Sequence, residues 1–225
     1  MSPNIIVTCE PRTGSTWLID ILRLVLNKDY AGNNNHISKF WKNMELNRIQ
    51  HTHKYSSLEL LALFGKDAYI ISTVRNHRDR LVSVAYRHLK QNLTKSMDTR
   101  LKYLVEKQAG FNKQYQRMVQ GYSTRAPLKD RKLPYIWTSY EWMKEDIYRE
   151  VNAILKFLDH EIDYDLLKSI IDTYQEKAEL EKGNIGKYRK GINGDWKNHF
   201  TQEMIDATQA HQDLYYVKLG EEDGL

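Results

Sequence analysis

The stretch that decides the fold is Ile5 to Leu26, IIVTCEPRTGSTWLIDILRLVL. Ile5, Ile6 and Val7 form a short β-branched apolar run, as a buried strand requires. From Trp17 onward, Trp17, Leu18, Ile21, Leu22 and Val25 recur with the spacing of one helix face. Between the two lies Glu-Pro-Arg-Thr-Gly-Ser-Thr, residues 10–16. A loop in this position presents free backbone N–H groups at the positive end of the helix dipole. Gly14 permits close backbone approach, Thr13, Ser15 and Thr16 add hydroxyl donors, and Arg12 adds a planar fork of N–H groups. The set suits a phosphate or sulfate group. It does not meet the G-x-x-x-x-G-K-[ST] pattern, because it has one glycine and no lysine before the hydroxyls. A magnesium-nucleotide hydrolase or kinase is thereby disfavoured, while the anion site remains. The competing reading is a plain helix start, capped by Thr13 or Ser15 with Arg12 in solvent.

Working outward, a second buried strand is predicted over Ala68–Val74 and a third over Pro134–Tyr140. A helix follows the second, with Leu81, Val82, Ala85, Tyr86 and Leu89 on one face. After the third come a helix carrying Ile147, Val151, Ile154, Leu155 and Leu158, then another from near Asp163. A last helix is predicted from about Thr201 to Tyr216. Three strand–helix repeats argue for an α/β fold, a central parallel sheet flanked by helices, in a single domain over residues 1–225. Ligands of such sheets bind beyond the carboxyl ends of the strands, after Cys9, Val74 and Tyr140. Arg75 closes the second strand and Ser83 lies in the next helix, so the two can converge on one phosphate. The alternative is a solvated basic helix start with Asp79 pairing locally. Arg189, Lys190 and Gly191 open RKGINGDWK, a basic glycine-containing segment able to close over a phosphate, or else an exposed loop. The polar stretch Leu93–Lys132 carries two weakly amphipathic helical pieces, and GYSTRAPLKDRK reads as an exposed loop.

The net charge of +5 and pI of about 9.0 favour an anionic partner. No apolar run reaches the ~18 residues of a membrane span, and no signal-peptide pattern opens the chain. Cys9 is the only cysteine, so no intrachain disulfide forms, which fits a reducing compartment and a cytoplasmic location. No His, Cys and carboxylate group has metal-ligand spacing along the chain, so no metal is expected.

Taken together and in order, these segments resemble the sulfotransferases that use 3'-phosphoadenosine 5'-phosphosulfate (PAPS). PRTGSTW is similar to the family's 5'-phosphosulfate loop, P-[KR]-[ST]-G-[ST]-[ST]-W. RNHRDRLVS is similar to R-N-P-x-D-x-x-x-S, and RKGINGDWKNHF to R-K-G-x-x-G-D-W-K-x-x-F. The resemblance implies the P-loop-like sulfotransferase fold and in-line transfer of a sulfuryl group from PAPS to an acceptor hydroxyl or amine, with PAP as product and no metal. It implies that Arg12, Thr13, Gly14, Ser15 and Thr16 hold the 5'-phosphosulfate, and that Arg75, Ser83, Arg189, Lys190 and Gly191 hold the 3'-phosphate. Trp17, Tyr140 and Tyr174 would contact adenine. HTHKY, His51–Tyr55, is similar to the family's K-T-H segment and makes His53 the base, with Arg12 stabilising the leaving phosphate. His51 stands where the soluble members have a lysine and either assists when protonated or leaves that role vacant. Phe40, Trp41, Tyr86 and the Leu93–Lys132 region are candidate acceptor walls, the alternative being that these aromatics are core. The acceptor is expected to be a small molecule or carbohydrate rather than a nucleic acid. Lys197 and Thr201 meet only half of the family's dimer motif, so a monomer or weak homodimer is expected. The alternatives are a PAP- or PAPS-binding protein without turnover and a nucleotide- or nucleic-acid-binding protein.

Overall fold

Five consecutive residues of the first strand, Ile5–Cys9, are buried, which only a strand covered on both faces achieves. In the computed structural model, residues 4–34, 36–91, 96–107, 134–180 and 191–219 are described. The elements run β1 (Ile5–Cys9), α1 (Ser15–Val25), β2 (Tyr30–Asn33), α2 (Ile37–Glu45), β3 (Ile49–Thr52), α3 (Ser57–Phe64), β4 (Tyr69–Val74) and α4 (His77–Gln91). After helical residues 97–107 (α5) come β5 (Tyr135–Ser139), α6 (Tyr140–Glu145), α7 (Ile147–Phe157), α8 (Tyr164–Leu180), a 3-10 turn (Asp195–Asn198) and α9 (Gln202–Leu219). They form two compact units, Met1–Val74 with Ala126–Leu180, and Arg75–Arg125 with Glu181–Leu225.

The first unit holds a five-stranded parallel sheet of order β2-β3-β1-β4-β5. Strand alternation sends Ile5 and Val7 to one face, where they meet Leu18, Ile21 and Leu22 of α1, Val151, Ile154 and Leu155 of α7, and Leu167 and Ile171 of α8. Truncating any one of these side chains to alanine would cost about 2–5 kcal/mol. β1 is central, with β3 on one side and β4 on the other, so its carboxyl end is a topological switch point.

The second unit packs Leu81, Val82 and Ala85 of α4 against Leu101 and Val105 of α5 and Met204 of α9. Trp196, Phe200 and Tyr86 close over this core.

The α/β class and parallel sheet are as expected, but strand–helix units recur more often than the three read from apolar runs. β2 (YAGN) and β3 (IQHT) carry too few apolar residues to register as strands, although β3 is buried at all four positions. Its polar side chains are buried because neighbouring segments satisfy them: Gln50 donates to the Phe40 carbonyl at 3.1 Å and accepts from Asn34 at 3.3 Å. The third strand ends at Ser139, one residue early, because the Ser139 hydroxyl accepts from the Trp142 N–H (3.0 Å) and starts α6. Phe40, read as an acceptor wall, is a fully buried core residue packed edge-on to Tyr55. No helix among the described residues is long and apolar enough to cross a membrane.

Candidate functional site

The loop after β1 has the geometry of an anion cradle. Arg12 and Gly14 both have positive φ, +75° and +85°. Left-handed residues in a tight turn point successive N–H groups inward, as in an anion-binding nest. A non-glycine residue at +75° is strained, and such strain concentrates at ligand-binding turns. Gly14 is also the N-cap of α1 and supplies no side-chain cap, so neither Thr13 nor Ser15 caps the helix. The Thr13 hydroxyl donates to the Glu10 carbonyl at 3.0 Å and pairs with the Thr73 hydroxyl of β4 at 2.7 Å. It ties the loop to the sheet. Ser15 is buried at the helix start, Thr16 is exposed, and Arg12 and Trp17 are half-buried.

The glycine is required twice over. A Cβ at Gly14 would stand 2.7 Å from Tyr140 Cδ2 and 3.1 Å from Met143 Cε. Tyr140 thus lies directly against the loop, edge-on to Trp17 with ring centroids 6.4 Å apart. Tyr174 packs on the same core from α8, and burial raises its pKa, with the Asp20 charge adding to the effect.

His53 sits one residue beyond β3. Register pairs Val7 with His51, so Cys9, His51 and His53 share one sheet face by alternation. The turn that follows is pinned by Lys54 N–H to Thr52 Oγ1 (3.1 Å), by Thr8 Oγ1 donating to the Tyr55 carbonyl, and by a Ser56–Glu59 capping box opening α3. His53 Nδ1 is 2.8 Å from the Cys9 carbonyl oxygen. A carbonyl can only accept, so Nδ1 carries a proton, and in the neutral ring Nε2 carries the lone pair. His51 is buried, with Nδ1 3.2 Å from the Tyr30 hydroxyl and Nε2 3.2 Å from Cys9 Sγ. Burial raises the Cys9 pKa, but hydrogen bonds and charge from His51 and His53 more than offset it, leaving the thiol well below its ordinary value. Sequence spacing could not reveal this cluster, since Cys9 and His51 stand 42 residues apart and only the β1–β3 pairing unites them.

In the second unit Arg75 precedes α4 and Ser83 is buried on α4. The Asn76 side chain accepts from the Asp79 N–H at 3.2 Å and starts the helix. Asp79, 1% exposed, accepts from the backbone N–H groups of Gly194 (2.6 Å) and Trp196 (2.9 Å). This long-range tie replaces the local pairing considered from sequence, and no sequence spacing signals it. Gly194 adopts φ +80° and Gly191 φ +61°. Arg78 donates to Thr208 (3.0 Å), Gln209 (2.8 Å) and the Ile205 carbonyl (3.0 Å), with its guanidinium 4.6 Å from the Trp196 ring. It fastens α4 and the Gly194–Trp196 turn to α9. Arg189 and Lys190 lie outside the described residues.

Fold and loop together define a P-loop-like α/β protein with an anion cradle at its central strand. The chain belongs to the sulfotransferase family: the family's sulfotransferase domain matches residues 2–220. Among curated proteins it is 26% identical to rat sulfotransferase 1 family member D1 and 28% identical to the mouse protein of that name, each over 99% of this chain and 85% of the relative. Rat sulfotransferase 1E1 is 25% identical over 92% of this chain and 81% of its own length. Among solved structures, mouse sulfotransferase SULT7A1 complexed with PAP aligns with a TM-score of 0.66 at 21% identity, covering 99% of this chain and 87% of that one. A retinol dehydratase in complex with androsterone and inactive cofactor PAP aligns at 0.62 and 15% identity, covering 98% and 81%.

Proposed function

We propose that the chain acts as one sulfotransferase domain that moves the sulfuryl group of PAPS to a small-molecule hydroxyl or amine, in the cytoplasm, with His53 as base. The observation that carries this reading is the hydrogen bond from His53 Nδ1 to the Cys9 carbonyl. It ties the His53 ring through Nδ1 to the end of the strand that opens the anion loop, so that in the neutral ring Nε2 is the basic nitrogen.

The donor set fits PAPS. The positive-φ loop at Arg12 and Gly14, the α1 N-terminus without a side-chain cap, and Ser15 and Thr16 offer N–H and O–H groups for a 5'-phosphosulfate. Trp17 and Tyr140 offer aromatic surface for adenine, and Tyr174 completes the adenine contacts. Arg75, Ser83 and Gly191, with Arg189 and Lys190, take the 3'-phosphate. When bound, PAPS supplies the sulfuryl group and a stable phosphate leaving group. His53 Nε2 receives the acceptor's proton while Nδ1–H holds the ring on Cys9. Arg12, always charged, balances negative charge on the departing phosphate and donates no proton. His51 is a positioning residue, held between Tyr30 and Cys9 and supporting the face from which His53 projects.

Calorimetric titration with PAP, 5'-AMP and magnesium-ATP tests the donor, and radiolabelled transfer from PAPS to a panel of phenols, sterols, amines and sugars tests the reaction. Metal-independent preference for PAP, with transfer that His53→Ala abolishes while PAP affinity holds, is the expected result. Equal affinity for all three nucleotides, or full transfer by His53→Ala, would overturn the reading.

A further inference from the structure

Cys9, His51 and His53 place one ligand atom each within 4.8 Å of one another, on two neighbouring strands of the first unit. We propose that this trio is a binding site for a zinc-class divalent cation, and that its occupancy switches off the base. The switching rests on the reading of His53 given above; the binding does not.

The two sulfur–nitrogen spacings match the ion. A tetrahedral zinc with Zn–S of about 2.3 Å and Zn–N of about 2.0–2.1 Å sets S···N separations of about 3.5 Å. Cys9 Sγ lies 3.2 Å from His51 Nε2 and 3.5 Å from His53 Nδ1. The two imidazoles stand edge to face, 4.4 Å between centroids, so their lone pairs reach the sulfur's vicinity from different directions. One thiolate and two imidazoles suit zinc or cobalt and suit magnesium or calcium poorly. Tyr30 supplies the outer support a metal-bound histidine needs, its hydroxyl 3.2 Å from His51 Nδ1. Three protein ligands leave a fourth position for water. Cys9 is fully buried, and half-buried His53 gives the route in.

The proton balance explains the switch. On binding, any proton on the Cys9 thiol leaves to solvent. His51, ligating through Nε2, carries its proton on Nδ1, facing the Tyr30 hydroxyl, and any proton on Nε2 leaves to solvent. His53 gives up the Nδ1–H···O bond to Cys9, and its one remaining proton moves to Nε2. A neutral imidazole ligated through Nδ1 carries its hydrogen on Nε2, where it no longer accepts a proton. The ion therefore leaves the anion loop untouched and removes the lone pair that does the chemistry.

The test uses the full chain, stripped of metal by chelation. Cobalt chloride titration should give one equivalent with a thiolate-to-cobalt charge-transfer band, which zinc chloride displaces. Cys9→Ser should lose the band and bind zinc at least tenfold more weakly, with PAP affinity reporting its fold. Tyr30→Phe, which keeps all three ligands, should weaken zinc by about 10–100-fold, the usual cost of losing outer support. Nitrogen-15 histidine spectra should show the His53 proton move from Nδ1 to Nε2 as zinc is added. Absence of the cobalt band, or zinc affinity unchanged in Cys9→Ser, overturns the site. A cobalt band with the His53 proton still on Nδ1 overturns the switch. Neither readout uses sulfuryl transfer, so a chain that binds cobalt as described yet keeps full transfer in His53→Ala would refute the base and leave the metal site standing.

Discussion

Gly14→Ala tests the anion loop most directly, because two separate costs meet at one atom. The first is conformational: at φ +85° an L-residue pays roughly 1–2 kcal/mol. The second is steric: the new methyl would sit 2.7 Å from the Tyr140 ring and 3.1 Å from Met143, and overpacking of this kind costs about 1–3 kcal/mol. Gly32 separates the two, since its φ of +83° is nearly the same and nothing lies within 4 Å of its Cβ position. Gly32→Ala should therefore lose only the conformational part. In urea unfolding, Gly14→Ala should fall below wild type by roughly 2–5 kcal/mol and below Gly32→Ala by about 1–3 kcal/mol. The displaced Tyr140 should also weaken PAP at least tenfold in Gly14→Ala alone. Equal stability of the two variants would show that the ring yields freely, and the claim that Tyr140 and Gly14 shape one cradle would fall.

Asp79→Ala strands the N–H groups of Gly194 and Trp196, and at about 1.5–3 kcal/mol per charged hydrogen bond should cost about 3–6 kcal/mol in urea unfolding; a loss under about 1 kcal/mol would mean the turn holds itself. Arg75→Ala should weaken PAP by about 1.5–3 kcal/mol in calorimetry, and an unchanged affinity would remove Arg75 from the clamp. His211, stacked on His77 at 4.8 Å, has its pKa lowered by burial and then by the Arg80 charge. The fold thus favours its neutral form, while the unfolded chain takes a proton near pH ~6.5. Its contribution is fully present above that pH and is lost as pH falls toward the lower folded value. Wild-type stability should drop as pH falls below about 6.5 more steeply than that of His211→Gln, and parallel curves would refute the assignment.

What was legible in the sequence follows from how each signal is carried. β1, β4 and β5 announce themselves because burial on both faces demands apolar runs, and the helices because one face must be apolar. β3 is equally buried yet reads as polar, since Gln50 and His51 are satisfied by Asn34, Phe40, Tyr30 and Cys9, partners brought together only by the sheet. The anion loop was legible because its chemistry is contiguous, from Arg12 to Thr16. Its cap was not: Thr13 looks like a capping residue until β4 presents Thr73 to its hydroxyl. Asp79 likewise reads as a local partner, because its true partners lie 115 and 117 residues away.

One topological fact underlies the site. With β1 between β3 and β4, the carboxyl ends of three parallel strands lie side by side. β1 leads into the anion loop, β4 anchors that loop through Thr73, and β3 leads directly into His53. The same adjacency brings the Cys9 carbonyl and the Cys9 sulfur within reach of one histidine nitrogen, at 2.8 and 3.5 Å. The carbonyl holds Nδ1 protonated and keeps Nε2 basic, whereas a cation on the sulfur would claim Nδ1 for itself. A residue without a side-chain ligand at position 9 would preserve the first arrangement, because that bond uses only backbone, and would abolish the second. The proposed base and its proposed inhibition therefore compete for one nitrogen, and the side chain at position 9 decides whether the competitor exists.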